Sequence, residues 1–456
     1  MSQSRRSFVA STAAGAALPL FWNRTGHAGQ SANDRKKVAC VGVGGSRGRY
    51  SRGGSIARQA CDLGQPVAVC DVDRRHNDEF ASQQKAKGRG DMNTYTDYRE
   101  MLEKDKPDVV TIGTPDHWHV PIAIAALKSG ADVYCEKPLT LTINEGIEIS
   151  RVVKETGRVF QVGTQQRSEN GQKFLQAVAM AQLGYIGDNV TAHVAIGGAP
   201  AGGPFEAKPV PEDLDWDMWL GPAPKADYSE ERRKMFRWFF EYSGGKMTDW
   251  GAHHIDIATW ALGKQETGPV KVSGIGKFPP AIPENFDFPA WFAGKATLPS
   301  AYNAPMNFHL TLEYADGLKM TVQDKYESAD GKTSFPNGIL FEGDNGRFFV
   351  NRGKLSGAPV EALTESDKQK VNDKVVELYG GNPTGHMKNF FDCIDTRKDP
   401  VSDVYSHHRT MTSCHLCNIA LMLGRDLSWD PAKQQFNGDE QANALRTRPQ
   451  REGYTS

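Results

Sequence analysis

The chain has 456 residues, and its 54 basic and 55 acidic side chains leave the net charge close to zero. A chain of this length suggests two or three domains, each able to bury a core. The balanced charge argues against a nucleic-acid-binding protein, and no apolar run approaches the ~20 residues that span a membrane.

Residues 1–28 have the pattern of an export signal. Arg5 and Arg6 precede the small, apolar run from Ala10 to Leu20, and Gly26 and Ala28 are small residues at the two positions that a signal peptidase reads. A fortuitous basic tail is the alternative. The pattern predicts that the twin-arginine export machinery carries the folded protein to a periplasm or a similar compartment.

Strand and helix patterns alternate between residues 36 and 165. Buried-strand signals occur at residues 37–41, 66–71, 108–113, 133–135 and 158–163, with 20–30 residues in each strand–helix unit. This alternation predicts a doubly wound parallel sheet of the Rossmann type.

The first two strands carry the signature of a dinucleotide site. The first strand runs into a glycine-rich loop whose candidate cofactor-binding residues are Gly42, Gly44, Gly45, Ser46, Arg47 and Gly48. Such a loop lets the backbone and the start of the next helix approach a pyrophosphate, although here the third glycine falls one residue late. Asp71 closes the second strand and is placed to bind the ribose hydroxyls, which favours NAD. Arg74 and Arg75 leave NADP open.

Three further groups of polar residues follow later strands. Thr114, Pro115, His117 and His119 follow the third strand signal, Glu136 and Lys137 follow the next, and Gln165 follows the last. Ligands bind at the carboxyl ends of strands in open α/β sheets, so we predict that these residues line the cofactor site. A zinc site at His117 and His119 is less favoured, because no matching ligand spacing follows.

The second half of the chain has a different pattern. From residue 166 to about 430, several strand-like runs alternate polar and apolar residues, as in a half-exposed antiparallel sheet. Residues 431–456 form a polar tail. Within this half, Asp249 and His253 are spaced i and i+4, so a helix would place them on one face, where the carboxylate can orient the imidazole as an acid/base group. The alternative is that Asp249 caps the helix and His253 packs in the core.

These motifs together resemble the Gfo/Idh/MocA oxidoreductases. The resemblance rests on the glycine loop, Thr114-Pro-Asp-His-Trp-His119, Glu136-Lys-Pro138 and Gly244-Gly-Lys-Met-Thr-Asp249 with His253, in that order. It implies a Rossmann domain at residues 36–165 and an α/β domain with a large, open, mostly antiparallel sheet at residues 166–430, which often builds a homodimer or homotetramer.

The resemblance also implies the reaction and its residues. A ring hydroxyl of a sugar, sugar derivative or cyclitol would be oxidised, or the ketone reduced, by hydride transfer with a tightly bound NAD or NADP. Lys137 would bind the reacting oxygen, Asp249 would orient the sugar or the base, and His253 would transfer the proton. Arg167 and His254 would be further substrate contacts, and no metal is implied.

Three other functions stay open from the sequence. An NAD-dependent glycosidase would oxidise the sugar transiently, eliminate the aglycone and reduce the product. A metal-dependent hydrolase would use His117, His119, His253 and His254. A non-catalytic sugar-binding protein would not need Lys137.

Overall fold

The computed structural model describes residues 35–45 and 52–454. The predicted export signal lies outside these residues, as do Ser46, Arg47 and Gly48 of the glycine-rich loop. From Lys36 onward the chain forms one compact unit. None of the helices in this described part is long and apolar enough to cross a membrane.

The amino-terminal half is built on a six-stranded parallel sheet in the order β3-β2-β1-β4-β5-β6. Its strands are β1 (Lys37–Val41), β2 (Gln65–Cys70), β3 (Asn93–Tyr95), β4 (Val109–Ile112), β5 (Asp132–Cys135) and β6 (Phe160–Val162). The helices between them are α1 (Arg52–Leu63), α2 (Arg74–Ala86), α3 (Tyr98–Asp105), α4 (His119–Lys128) and α5 (Ile143–Thr156). The strand order reverses between β1 and β4, which is where such sheets bind their ligands.

Both faces of this sheet are covered, which explains its continuous apolar strands. Ala39 and Val41 pack on one side with α4 and α5, whereas Val38 and Cys40 pack on the other side. That other side is covered by α1 and by a helix from the end of the chain, α14 (His386–Thr396). The predicted doubly wound sheet is confirmed.

The carboxyl-terminal half contains a nine-stranded sheet in the order β15-β14-β13-β7-β10-β9-β8-β16-β17. Among the paired strands of this sheet in the described residues, only β7 and β10 run parallel to each other. The sheet is therefore mostly antiparallel, as predicted. Its strands are β7 (Thr191–Ala195), β8 (Lys271–Lys277), β9 (Asn307–Glu313), β10 (Lys319–Gln323), β13 (Gly338–Gly343), β14 (Gly346–Val350), β15 (Leu355–Ser356), β16 (Leu427–Asp430) and β17 (Gln435–Phe436). A separate hairpin is formed by β11 (Tyr326–Glu327) and β12 (Ser334–Phe335).

Helices cover one face of the nine-stranded sheet. The helices of this half, with α14 already given, are α6 (Lys173–Gln182), α7 (Trp216–Leu220), α8 (Glu230–Lys234), α9 (Gly245–Asp249), α10 (Gly251–Ala261), α11 (Phe288–Phe292), α12 (Ala358–Glu361), α13 (Glu365–Tyr379), α15 (Val404–Leu423) and α16 (Glu440–Ala444). Phe174 of α6, Ile255 of α10 and Leu416 of α15 share one core with Leu312 of β9. The other face is more open, and Ile275 on β8 is 79% exposed.

Buried histidines join the two halves. Leu139 N donates to Nε2 of His407, and Nε2 of His415 lies 3.1 Å from Thr140 O, so α15 is bonded to the segment after β5. His386 of α14 lies 2.8 Å from both the Ser168 hydroxyl and Val162 O. Burial lowers the pKa of His386 to about 4, and it lowers the pKa values of His407 and His415 to about 3. These three imidazoles are therefore neutral in the folded protein at neutral pH.

We expect stability to fall steeply as the pH drops below about 6.5, the usual pKa of a histidine. Below that pH the unfolded chain binds protons on these imidazoles, whereas the folded chain does not until the pH approaches 4. Each such histidine costs roughly 1.4 kcal/mol of unfolding free energy per pH unit in this window. Buried Glu145, whose pKa is raised to about 7, acts in the opposite direction and offsets one of them. Urea titrations at pH 4.5–7.5 measure the slope.

A variant and its control measure how much one buried histidine contributes to this pH dependence. The H407N change should reduce this slope by about 1.4 kcal/mol per pH unit, because Asn does not titrate. The H309N change at an exposed histidine of β9 serves as the control. An equal slope in H407N and wild type would contradict the assignment.

Candidate active site

A cleft of about 490 Å³ crosses the carboxyl edge of the parallel sheet. It is lined by Gly42 and Asp71, which follow β1 and β2, and by Lys137, which follows β5. Asp249 and His253, from the other half of the chain, complete the same cleft. The arrangement brings the predicted cofactor loop and the predicted reacting groups into one continuous space.

The glycine loop has the backbone that a dinucleotide needs. Gly42 and Gly44 have φ values of +71° and +59°, and a Cβ on Gly42 would lie 2.6 Å from the Thr114 side chain. The third glycine in function is Gly53, because a Cβ there would lie only 1.8 Å from the carbonyl oxygen of Gly42. The described part of α1 begins at Arg52, and its backbone at Gly53 packs against the loop.

Asp71 is fixed at the end of β2. Its Oδ2 accepts a hydrogen bond from Gly44 N at 3.0 Å, and its Oδ1 accepts one from Asp73 N at 3.0 Å. Arg74 and Arg75 lie 4.0 and 3.6 Å from Asp213, and neither is among the side chains that line the cleft. The carboxylate of Asp71 favours the free ribose 2′-hydroxyl of NAD over a 2′-phosphate.

The D71N change should weaken NAD binding by about tenfold or more, because a ribose hydroxyl would lose a charge-assisted hydrogen bond. NADP binding should change less, since the repelling carboxylate disappears. Fluorescence titration with each dinucleotide measures both dissociation constants. D78N, at an exposed aspartate of α2, is the control. Equal losses for NAD and NADP would show that Asp71 does not read the ribose.

The residues after β4 separate into two groups. Thr114 and Pro115 line the cleft, and the Thr114 hydroxyl is buried without a hydrogen-bond partner among the described residues. His117 and His119 are not cleft residues. Nε2 of His117 lies 2.9 Å from Trp219 O, and His119 lies 2.8 Å from Pro138 O and 2.9 Å from Thr114 O. These two histidines hold the loop in place, and the structure does not bring them to the predicted cofactor surface.

Glu136 and Gln165 form one bonded group in the wall of the cleft. Oε1 of Glu136 accepts hydrogen bonds from Arg52 Nε at 2.9 Å and from Gln165 Nε2 at 2.8 Å. Gln165 also donates to the hydroxyl of Tyr134. The group connects the start of α1 with the ends of β5 and β6.

Lys137 and Asp249 form an ion pair between the two halves. Lys137 Nζ donates to Asp249 Oδ1 at 2.6 Å and to Asp249 O at 3.0 Å, and Arg237 Nε lies 3.1 Å from the same carboxylate oxygen. Burial acts to raise the pKa of Asp249, but Lys137 and Arg237 outweigh it and hold that pKa well below its usual range. Asp249 is therefore a carboxylate that positions a lysine ammonium.

His253 lines the cleft, but the predicted carboxylate does not orient it. The helix breaks at Trp250, so Asp249 ends α9 and His253 lies on α10, and Nδ1 of His253 is buried without a partner among the described residues. Burial, followed by the positive charges of Lys137 and Arg352, lowers the pKa of His253 well below its usual range. The imidazole is therefore neutral and able to accept a proton.

Two predicted substrate contacts lie elsewhere. Arg167 makes a buried, bidentate ion pair with Asp256 at 2.6 and 2.7 Å, and neither residue lines the cleft. Both ring nitrogens of His254 face other side chains, Gln166 at 3.3 Å and Asn337 at 3.0 Å. These contacts give Arg167 and His254 structural roles.

Sequence reasoning missed several basic and aromatic residues of the cleft. Arg237, Lys246, Trp250 and Arg352 all line it near Asp249 and His253. Lys246 and Trp250 lie inside the glycine–aspartate–histidine motif and could have been found there. Arg352, in a turn after β14, has no local signal.

The described residues do not form a set of side chains that could bind a metal ion. No group of three or more His, Cys, Asp and Glu side chains within residues 35–45 and 52–454 is arranged to hold a metal ion. His117, His119 and His254, which a metal-dependent hydrolase would use, each face backbone or amide oxygens instead.

Comparison with known proteins identifies the family. The profile of the Gfo/Idh/MocA oxidoreductase family, NAD-binding Rossmann fold, matches residues 36–164. The profile of the family's carboxyl-terminal alpha/beta domain matches residues 202–277 and 304–456, about half of the chain. The chain belongs to the Gfo/Idh/MocA oxidoreductase family. Its amino-terminal domain is therefore an NAD-binding Rossmann domain.

Solved structures of similar fold agree with this family. The WlbA dehydrogenase from Bordetella pertussis, in complex with NADH and UDP-GlcNAcA, is 15% identical, with 87% of this chain and 99% of that chain covered and a TM-score of 0.56. The myo-inositol 2-dehydrogenase from Lactobacillus plantarum is 19% identical, with 86% and 99% covered and a TM-score of 0.54. At these identities the likeness concerns the fold alone.

Curated relatives match over a shorter stretch. The alpha-N-acetylgalactosaminidase of Shewanella oneidensis is 30% identical over 158 residues, which is 33% of this chain and 33% of that protein. A glycosyl hydrolase family 109 protein of Shewanella sp. is 29% identical over 161 residues, 34% of this chain and 33% of that protein. The chain therefore matches about a third of the length of these relatives.

The residues present fit NAD in the Gfo/Idh/MocA cleft. The glycine loop packs so closely on Thr114 and α1 that it admits no Cβ at Gly42 or Gly53, Asp71 is placed for the ribose, and the buried Thr114 hydroxyl has no partner among the described residues. Gly42, Gly44, Asp71, Thr114 and Glu136 would hold the cofactor.

Proposed function

We propose that the protein interconverts a ring hydroxyl and a ketone on a sugar, sugar derivative or cyclitol. The observation that carries the proposal is the meeting of Lys137, Asp249 and neutral His253 in the cleft that begins at the glycine loop. A neutral imidazole can accept the proton of an alcohol, and a lysine ammonium can stabilise the negative charge that develops on its oxygen.

Each group has a separate task in this reaction. His253 removes the proton of the substrate hydroxyl, because its lowered pKa leaves it unprotonated at neutral pH. Lys137, held by Asp249 at 2.6 Å, donates a hydrogen bond to the same oxygen as its negative charge develops. Bound NAD supplies the hydride acceptor.

A spectroscopic experiment tests the proposal. Protein purified without added cofactor is denatured, and the released nicotinamide is identified by its mass and absorbance. The native, NAD-loaded protein is then incubated with a panel of sugars and cyclitols while absorbance at about 340 nm is followed. We expect an increase with a subset of sugars. Failure to bind NAD(H), or no hydride transfer with any ring alcohol, would overturn the proposal.

An NAD-dependent glycosidase is the second candidate, and the Shewanella relatives favour it. Such an enzyme would use the same cofactor but return the hydride to the product, so a full turnover would leave no net NADH. Release of the aglycone from a nitrophenyl glycoside without accumulation of NADH would select this candidate. Accumulation of NADH with a stoichiometric ketone would select the dehydrogenase.

Export and assembly belong to the same proposal. Because free NAD is scarce outside the cytoplasm, we infer that the cofactor is bound tightly before twin-arginine export and is recycled in place. The twin arginines, Arg5 and Arg6, support export. A homodimer or homotetramer would cover the open face of the nine-stranded sheet, where Ile275 is exposed. Loss of cofactor on gel filtration, or a monomeric mass by light scattering, would contradict these points.

A further inference from the structure

Two cations in the cleft lack a carboxylate partner. Lys246 on α9 and Arg352 after β14 both line the cleft near His253. Within the described residues, neither forms an ion pair within 4.0 Å. Other basic groups of the cleft differ in this respect, since Lys137 pairs with Asp249 and Arg52 pairs with Glu136.

Both cations contact the same aromatic ring. Nζ of Lys246 lies 5.7 Å from the ring centroid of Trp250, and Cζ of Arg352 lies 4.7 Å from it. Trp250 is the residue between α9 and α10, so it lies between Asp249 and His253 in the chain. Cation–π contact holds the two side chains in place but leaves their charges unneutralised.

The surrounding charges make this part of the cleft positive. Burial lowers the pKa of Lys246, Asp249 acts to raise it, and Arg237 and Lys137 lower it further. Burial also lowers the pKa of Arg352, and the charge of Arg52 lowers it further, whereas Asp249, Glu169 and Glu136 act to raise it. Because neither desolvated cation pairs directly with a carboxylate, an anionic ligand would stabilise their charges.

The cofactor diphosphate does not fit this position. The glycine loop and the start of α1, where backbone N–H groups are available, form the diphosphate site. The charged groups that act on Lys246 are instead Asp249, Arg237 and Lys137, the residues that face the reacting oxygen. An anion bound by Lys246 and Arg352 would therefore belong to the substrate.

We propose that the preferred substrate is an acidic sugar whose carboxylate or phosphate group binds to Lys246 and Arg352 beside Trp250. The inference rests on the proposed oxidation of a ring alcohol, and it names the chemical class of its substrate. The anionic group fixes the sugar beside Trp250, so that the hydroxyl to be oxidised faces Lys137 and His253. Lys246 and Arg352 act in binding and specificity, and they take no part in proton transfer.

The test compares matched sugars on the NAD-loaded enzyme. Hexuronic acids, hexose 6-phosphates and the corresponding neutral hexoses are assayed for binding by calorimetry and for NADH formation by absorbance. Acidic sugars should bind about tenfold or more tightly than the neutral ones, and added salt should weaken only their binding. The acidic sugar that binds more tightly, the hexuronic acid or the hexose 6-phosphate, identifies the anionic group that the site prefers.

Variants assign the effect to the two cations. K246Q and R352Q should each raise the dissociation constant and KM for the acidic sugar by about tenfold or more, with a small change in kcat and in NAD affinity. K368Q and R151Q, at exposed ion-paired residues of α13 and α5, are the charge controls. Neutral sugars should respond equally little to all four changes.

The outcomes separate the inference from the proposed function. If acidic sugars bind through Lys246 and Arg352 but no sugar is oxidised, the acidic-sugar site stands and the oxidation fails. If neutral sugars are oxidised as well as acidic ones and K246Q and R352Q behave as the controls do, the oxidation stands and the acidic-sugar site is overturned. A loss of NAD affinity in both variants would also overturn it, by assigning the cations to the cofactor.

Discussion

Replacement of Lys137 by methionine should lower kcat by about 10²–10³-fold, the effect of removing one preorganised donor to a developing oxyanion. The ammonium is largely buried and is held at 2.6 Å from Asp249, so no solvent cation can take its place. Methionine keeps the unbranched side chain but removes the charge. We expect kcat and kcat/KM to fall together, because the interaction strengthens only as negative charge develops on the substrate oxygen.

The control for K137M is K154M, a charge deletion on the exposed face of α5. Affinity for NAD, measured by fluorescence titration, should be unchanged in both variants. A K137M enzyme within a few-fold of wild type in kcat would remove Lys137 from the reaction. A protein that had lost NAD binding would instead show that the ion pair with Asp249 holds the cleft together.

Replacement of His253 by alanine should lower kcat by about 10²–10⁴-fold, the usual contribution of a general base. The neutral imidazole accepts the proton, so its active form is the one present above its pKa. Because burial lowers that pKa well below the usual value, the rate should stay level as the pH falls from 7 through 6.5 and should decline only at lower pH. Rate measurements from pH 5 to 9 test this profile.

The H253A variant should also lose this acidic limb of the pH profile. H309N, at an exposed histidine on β9, should keep both the rate and the profile. A fall in the wild-type rate with a midpoint near pH 6.5 would contradict a lowered pKa of His253. An unchanged profile in H253A would assign the proton transfer to another group.

The parallel sheet could be predicted because its signals are local. Each buried strand is a short apolar run, and polar residues such as Asp71 and Lys137 directly follow β2 and β5. The predicted elements omitted β3 and α2, since β3 is a three-residue edge strand and α2 is mostly polar. The alternation of polar and apolar residues predicted the mostly antiparallel sheet of the second half, but it did not predict the order of the strands in that sheet.

The partners of the site residues could not be predicted from spacing. The i,i+4 relation between Asp249 and His253 indicated a pair, yet the carboxylate bonds Lys137, which is 112 residues away in sequence. The family resemblance implied that Arg167 contacts the substrate, but Arg167 forms a buried ion pair with Asp256. Contacts of this kind depend on how the two halves pack, which local patterns do not encode.

The Lys137–Asp249 pair also limits how such enzymes can recombine. Lys137 belongs to the chain segment that builds the cofactor half, whereas Asp249 and His253 belong to the segment that shapes the other wall. A chimaera that exchanges everything after β6 between two homologues would inherit the lysine from one parent and its carboxylate from the other. Because the pair is a single short contact, such exchange can preserve the reacting groups while replacing the wall that contains Lys246, Trp250 and Arg352. New substrate preferences could then arise by domain shuffling without new catalytic chemistry.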